Sequence, residues 1–231
     1  LYKELGDFKK AYDCFESTLK NDSNYFEAHR SIGNLQMEMG FLDLSLISFK
    51  KVLEFNPNYI EVLNNLGSVY KDLGNFDESL EVFERALAIN PNYLEVLNNL
   101  GLTLIELERF SDAIVIYKKA IAINPNYSYA YNNYGIALNG LHKNQEAEDF
   151  FIHALRIEPN YYDANVNYGN SLFRNDIFDK AIYYYERSLE IRPGENYIFG
   201  DILHAKMQIC NWKDWSNSIK KLTEDISKEK K

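Results

Sequence analysis

Four asparagines, Asn65, Asn99, Asn133 and Asn167, stand thirty-four residues apart, each just ahead of a Leu-Gly or Tyr-Gly pair. A carboxamide carries a donor and an acceptor together. A file of them can therefore hold the backbone N–H and C=O of an extended peptide without reading its side chains. The spacing leaves a second use open, in which the amides cap turns or brace neighbouring helices. Asn64, Asn98 and Asn132 make a parallel file, expected nearer the rim, where a bracing or solvated role is the favoured reading. Reactive groups are not arranged for catalysis. His29, His142, His153 and His204 show no metal-ligand spacing, no Cys-x-x-Cys or His-Glu-x-x-His occurs, and no glycine-rich phosphate loop follows a strand. The chain as it stands is expected to be non-catalytic, with no metal and no cofactor.

The elements that position the asparagines follow from the same step. Gly33, Gly67, Gly101, Gly135 and Gly169 keep it, as do Pro57, Pro91, Pro125, Pro159 and Pro193. A fixed period of this length with helical patterning inside it is the signature of the tetratricopeptide repeat, two antiparallel helices per unit. The first helix of a unit places Leu63, Leu66, Tyr70 and Leu73, or Leu97, Leu100, Leu104 and Leu107, on one face. Its mid-helix glycine costs about 1 kcal/mol of propensity relative to alanine, which close approach of the second helix would offset. Small residues at Ser79, Ala113, Ala147 and Ala181 fit that approach, while Phe49, Phe83, Tyr117, Phe151 and Tyr185 are expected to fill the gap toward the next unit. Proline then ends the second helix, since the residue before it is driven out of the α region. The expected fold is an all-α, right-handed superhelical solenoid. Residues 1–25 read as a partial repeat, 26–195 as five full repeats, and 196–231 as a degenerate last repeat that caps the stack or joins another domain. In that last part Tyr197 to Ile209 reads as a helix, and a second is expected from Asp214 through Ile226.

The chain of 231 residues carries a net charge of −9 and a pI near 5.0. That balance argues against nucleic acid or an anionic membrane as the main partner, since phosphate binding needs a basic stripe. Lysines cluster only after Lys220, interleaved with acids, as a solvated surface would have them. Cys14 and Cys210 have no partner spacing, which fits a reducing compartment, and a cytoplasmic location is expected. No apolar run approaches the ~18 residues of a membrane span, and no leader opens the chain. Leu1 falls in mid-repeat, so a piece of a longer protein is expected.

Two resemblances bear on the partner. Tetratricopeptide proteins that grip a chaperone's C-terminal carboxylate share a five-residue clamp. Arg30, Asn34 and Asn65 resemble its first three positions, but Glu95 and Asn99 stand where its last two cations belong, and a carboxylate there repels the ligand. The second resemblance is to the repeat arm of protein O-linked N-acetylglucosamine transferases, glycosyltransferase family 41. It rests on the repeated Asn-Leu-Gly over roughly 60–169 and on Cys210-Asn211-Trp212-Lys213-Asp214-Trp215, similar to that family's Cys-Asp-Trp-x-Asp-aromatic element. His204 and Lys220-Lys221-Leu222 also resemble family positions, whereas Asn211 replaces the usual acid and Tyr197 to Gly200 lack a ladder asparagine. The resemblance implies an arm that threads protein acceptors toward a catalytic domain outside this sequence, with the asparagine ladder on the acceptor backbone and the nucleotide-sugar bound only by that absent domain. The rival readings are a stand-alone scaffold, or an arm of a different fused enzyme such as a sulfotransferase or methyltransferase.

Overall fold

The structure, a computed structural model, describes residues 8–22, 25–213, 215–216 and 219–220. Among them there are twelve helices and no strand. By internal contact density the chain divides into two units, residues 1–109 and 110–231. The first holds α1 (Phe8–Asn21), α2 (Phe26–Glu38), α3 (Leu42–Phe55), α4 (Ile60–Asp72), α5 (Phe76–Ile89) and α6 (Leu94–Glu106). The second holds α7 (Phe110–Ile123), α8 (Ser128–Gly140), α9 (Asn144–Ile157), α10 (Tyr162–Arg174), α11 (Phe178–Ile191) and α12 (Asn196–Gln208). Within each unit consecutive helices pack on one another, and even- and odd-numbered helices pair as hairpins. The fold is all-α and repeat-built. Residues 1–7 of the expected partial repeat and most of the helix expected from Asp214 lie outside the described residues.

Each hairpin is keyed by a glycine and an aromatic ring. A Cβ placed on Gly67 would lie 2.6 Å from the Phe83 ring, and the same holds for Gly33 on Phe49 at 2.7 Å, Gly135 on Phe151 at 2.7 Å and Gly169 on Tyr185 at 2.6 Å. The ring, expected from sequence to fill the gap toward the following repeat, thus sits in the glycine notch of its own hairpin. It still reaches onward, since Phe151 also stacks on Tyr168 with centroids 6.1 Å apart. Phe49, Phe83 and Phe151 are fully buried, each burial contributing roughly 1.5–3 kcal/mol. That gain exceeds the propensity cost of the glycine. One turn earlier on the second helix, Ser45, Ser79, Ala113, Ala147 and Ala181 have no exposed surface. A hydroxyl survives there because it is satisfied at short range: Ser79 donates to the Gly67 carbonyl at 2.8 Å and Ser45 to the Leu42 carbonyl at 2.7 Å.

Both turns are built from backbone polarity. Just after a first helix the chain passes through the left-handed region, at Gly40, Gly74, Glu108, His142, Asp176 and Cys210. The next N–H then returns to a carbonyl five residues back, as from Asn75 to Tyr70 at 2.9 Å and from Asn211 to Lys206 at 2.9 Å. Cys210 therefore holds the place of Gly74, and Trp212 the place of Phe76, where the second helix begins. The Cys-Asn-Trp element is a regular inter-helix turn of a further repeat. Trp212 is 53% exposed and meets Trp215 edge to face at 5.1 Å. Trp215 occupies the register of Ser79, where a bulky ring is incompatible with the close helix approach seen earlier. At the other turn proline has help: Asn56, Asn90 and Asn124 each accept the N–H two residues on through Oδ1, at 3.3, 3.0 and 2.9 Å.

Two predictions follow from this packing. Gly67→Ala should lower stability by about 1–3 kcal/mol through overpacking, read from the denaturation midpoint, and Phe83→Leu in the same chain should restore part of it. The loss in Gly74→Ala arises from backbone strain at φ +77° with nothing within 4 Å, so Phe83→Leu should not relieve it. The second concerns alkali. Burial pushes the Tyr168 phenol up to about 12 and those of Tyr161 and Tyr185 further still. The native state keeps protons that the unfolded chain releases near its phenol pKa of about 10. Stability should be intact below pH ~10 and fall as pH rises toward 12, with tyrosinate absorbance lagging until the helices melt.

Candidate functional site

The ladder asparagines all lie on first helices: Asn65 on α4, Asn99 on α6, Asn133 on α8 and Asn167 on α10. They occupy the position just before the buried Leu66, Leu100, Tyr134 and Tyr168. That neighbour turns into the core, which leaves the amide on the edge of the packed stripe. Asn65, Asn99 and Asn167 are partly buried, and Asn133 is nearly fully buried.

The amides are tied backward from repeat to repeat. Asn65 Nδ2 donates to Asn34 Oδ1 at 2.8 Å. Asn99 Nδ2 donates to Asn64 Oδ1 at 3.0 Å and to Ser68 Oγ at 3.3 Å. In the second unit Asn167 Nδ2 donates to Asn132 Oδ1 at 3.0 Å, and Asn132 Nδ2 passes the chain on to Asn133 Oδ1 at 2.9 Å. The bracing that the sequence left open is therefore present, with Asn34, Asn64, Ser68 and Asn132 as acceptors. Bracing has a directional consequence. The nitrogen ends of Asn65, Asn99 and Asn167 are anchored, while their Oδ1 atoms accept no hydrogen bond from the described residues; Asn133 is held by its oxygen instead. Asn65, Asn99 and Asn167 so present acceptors, already oriented.

Its surroundings differ along the chain. Arg30 lies 3.8 Å from Glu61 and Asn34 is taken by Asn65, so two of the residues that resemble a carboxylate clamp are engaged within the first unit. Asp201 follows Asn167 by the same thirty-four residues and takes the ladder's place on α12. Burial raises its carboxyl pKa, with His204 acting against that. The period alone points to Asp201, but a search restricted to asparagine passes over it. Asn34 was likewise legible only as a clamp position, because its partner comes from the next helix pair. No group of His, Cys, Asp and Glu among the described residues is placed to hold a metal, and no helix among them is long and apolar enough to cross a membrane.

Comparison with known proteins agrees with the period. Family models of the tetratricopeptide repeat match residues 59–126, 116–149 and 135–196. No curated protein matches the sequence. Among solved structures, a tetratricopeptide-repeat protein from Parabacteroides merdae superposes with a TM-score of 0.79 at 19% identity, over 96% of this chain and 88% of that one. MamA superposes with a TM-score of 0.58 at 26% identity, over 69% of this chain and 94% of that one. YrrB, a repeat protein with an unusual peptide-binding site, gives 0.57 at 23% identity, over 84% and 97%. The three family models together span residues 59–196, more than half of the sequence, and the chain belongs to the tetratricopeptide-repeat family.

Proposed function

We propose that this tetratricopeptide-repeat protein binds an extended polypeptide along the face of its first helices, with Asn65, Asn99, Asn133 and Asn167 as the contact residues. The observation that carries the proposal is the anchoring of the ladder amides. The nitrogens of Asn65, Asn99 and Asn167 are held by the preceding repeat, so their oxygens meet the N–H groups of an incoming backbone without the cost of immobilising a free side chain. Such contacts ignore the client's sequence, and one array can then take many clients. YrrB is a repeat protein of similar fold described as having a peptide-binding site, which makes the same use of this fold reasonable here.

A finer reading is that the array is the acceptor-binding arm of an O-linked N-acetylglucosamine transferase-like enzyme in a reducing, cytoplasmic compartment. Its support is the sequence resemblance of Cys210 to Trp215 and the half-exposed Trp212 ring. Reading the coding sequence past Lys231 tests it. Two α/β lobes with a nucleotide-sugar pocket are expected, and an immediate stop or a different enzyme domain contradicts it.

The peptide reading is tested by two sets of substitutions. Changing Asn65, Asn99, Asn133 and Asn167 together to Ala should weaken binding of an unfolded client about tenfold or more, as loss of several backbone hydrogen bonds implies. Changing Asn64 and Asn132 to Ala removes two bracing acceptors and should lower stability by about 1 kcal/mol per bond while weakening client binding less than loss of the ladder amides themselves. Equal losses of stability in both sets, with affinity unchanged, would leave the ladder with bracing alone.

A further inference from the structure

We propose that a cavity in the second unit is a receptor for a carboxylate carried by the client. The cavity is about 240 Å³, and Arg174, Asn139, Asn170 and Asn167 line it above an apolar floor that includes Phe110 and Ile136. Its origin is legible in the register. The position held by Glu38, Asp72 and Glu106 in the first unit is Gly140 here and Arg174 one repeat later. The Phe110 ring lies directly against Gly140, where a side chain would collide with it. A site that carries a carboxylate in earlier repeats has thus become a notch, and the next repeat supplies a cation beside it.

The polar groups around the notch are oriented as donors. The Tyr185 hydroxyl donates to Asn170 Oδ1 at 2.8 Å, and the Ser171 hydroxyl donates to Asn139 Oδ1 at 3.4 Å. Both amides are held by their oxygens, which leaves both Nδ2 groups without an acceptor among the described residues. The Arg174 guanidinium makes no hydrogen bond or ion pair among them either. Two amide donors and a planar cation around one cavity match a carboxylate, which guanidinium binds through two parallel N–H···O bonds. Asn167 Oδ1, which accepts no hydrogen bond from the described residues, is suited to the backbone N–H of the same client residue. A neutral amide ligand would leave Arg174 uncompensated, and a cation would be repelled. The carboxylate can belong to a Glu or Asp side chain or to a chain terminus.

The test is a titration of the nitrogen-15-labelled chain, followed through the side-chain amide signals of Asn139 and Asn170. Single-residue probes are used, so the result does not depend on whether the ladder grips an extended backbone. N-acetyl-glutamate N-methylamide represents a side-chain carboxylate and N-acetylalanine a terminal one. At least one should shift both amides saturably, and the tighter of the two identifies the source. The glutamine analogue should shift neither. Arg174→Gln, at an exposed position that the helix tolerates, should weaken carboxylate binding about tenfold or more, with Arg174→Lys intermediate. Failure of both carboxylates to shift the amides overturns the proposal, as does an equal response to the glutamine analogue, an unchanged affinity in Arg174→Gln, or tighter binding of inorganic phosphate than of either carboxylate.

Discussion

The contact on which the rest of this structure depends is an aromatic ring lying on a helix with no side chain beneath it. Gly33, Gly67, Gly135 and Gly169 each admit the ring of the partner helix to a distance that a single methyl group would forbid. That contact sets the separation and register of the two helices. Once it is set, the small residues one turn earlier must be small, and any hydroxyl among them must find a backbone carbonyl, as Ser79 does. Packing of this kind tolerates little variation in volume, which is why the same residue classes return at the same step.

A fixed register also fixes which polar groups meet. The ladder asparagines stand beside buried core residues, and Asn65, Asn99 and Asn167 donate to asparagine amide oxygens, and in one case a serine hydroxyl, on the preceding first helix. The resulting chain of amides costs little, because neutral hydrogen bonds at a half-buried edge replace bonds to water nearly one for one. Its value lies in orientation. A braced amide shows its oxygen in one direction, as at Asn65 and Asn99 in the first unit and at Asn167 in the second. Bracing and recognition, which stand as alternatives when the sequence is read alone, are therefore compatible uses of the two ends of one side chain.

Most of the architecture was legible because it is periodic. Glycine, proline and asparagine repeated at one step specify the helices and the order of their packing. Less was legible at the turns. Glycine announces the left-handed residue at Gly40 and Gly74, but Glu108, His142, Asp176 and Cys210 adopt it without that signal, held by the surrounding hydrogen bonds. For this reason Cys210 to Trp215 read as a special element, although the first part of it is the ordinary turn of a further repeat. Partners were illegible too, since nothing in the residue type tells that Asn99 reaches Asn64 and Ser68 while Asn65 reaches Asn34. The notch proposed to take a carboxylate arises from two departures, at Gly140 and Arg174, that are neighbours in space but carry no signal in the period.

The central claim, that anchored amides offer their oxygens to a client's backbone, is tested most directly by a structure of the chain with an extended peptide bound. The account predicts peptide N–H groups on Oδ1 of Asn65, Asn99 and Asn167, with the Nδ2 bonds to Asn34, Asn64 and Asn132 still in place. A peptide seated away from the first helices, or ladder amides that turn their nitrogens to the client and release those bonds, would contradict it.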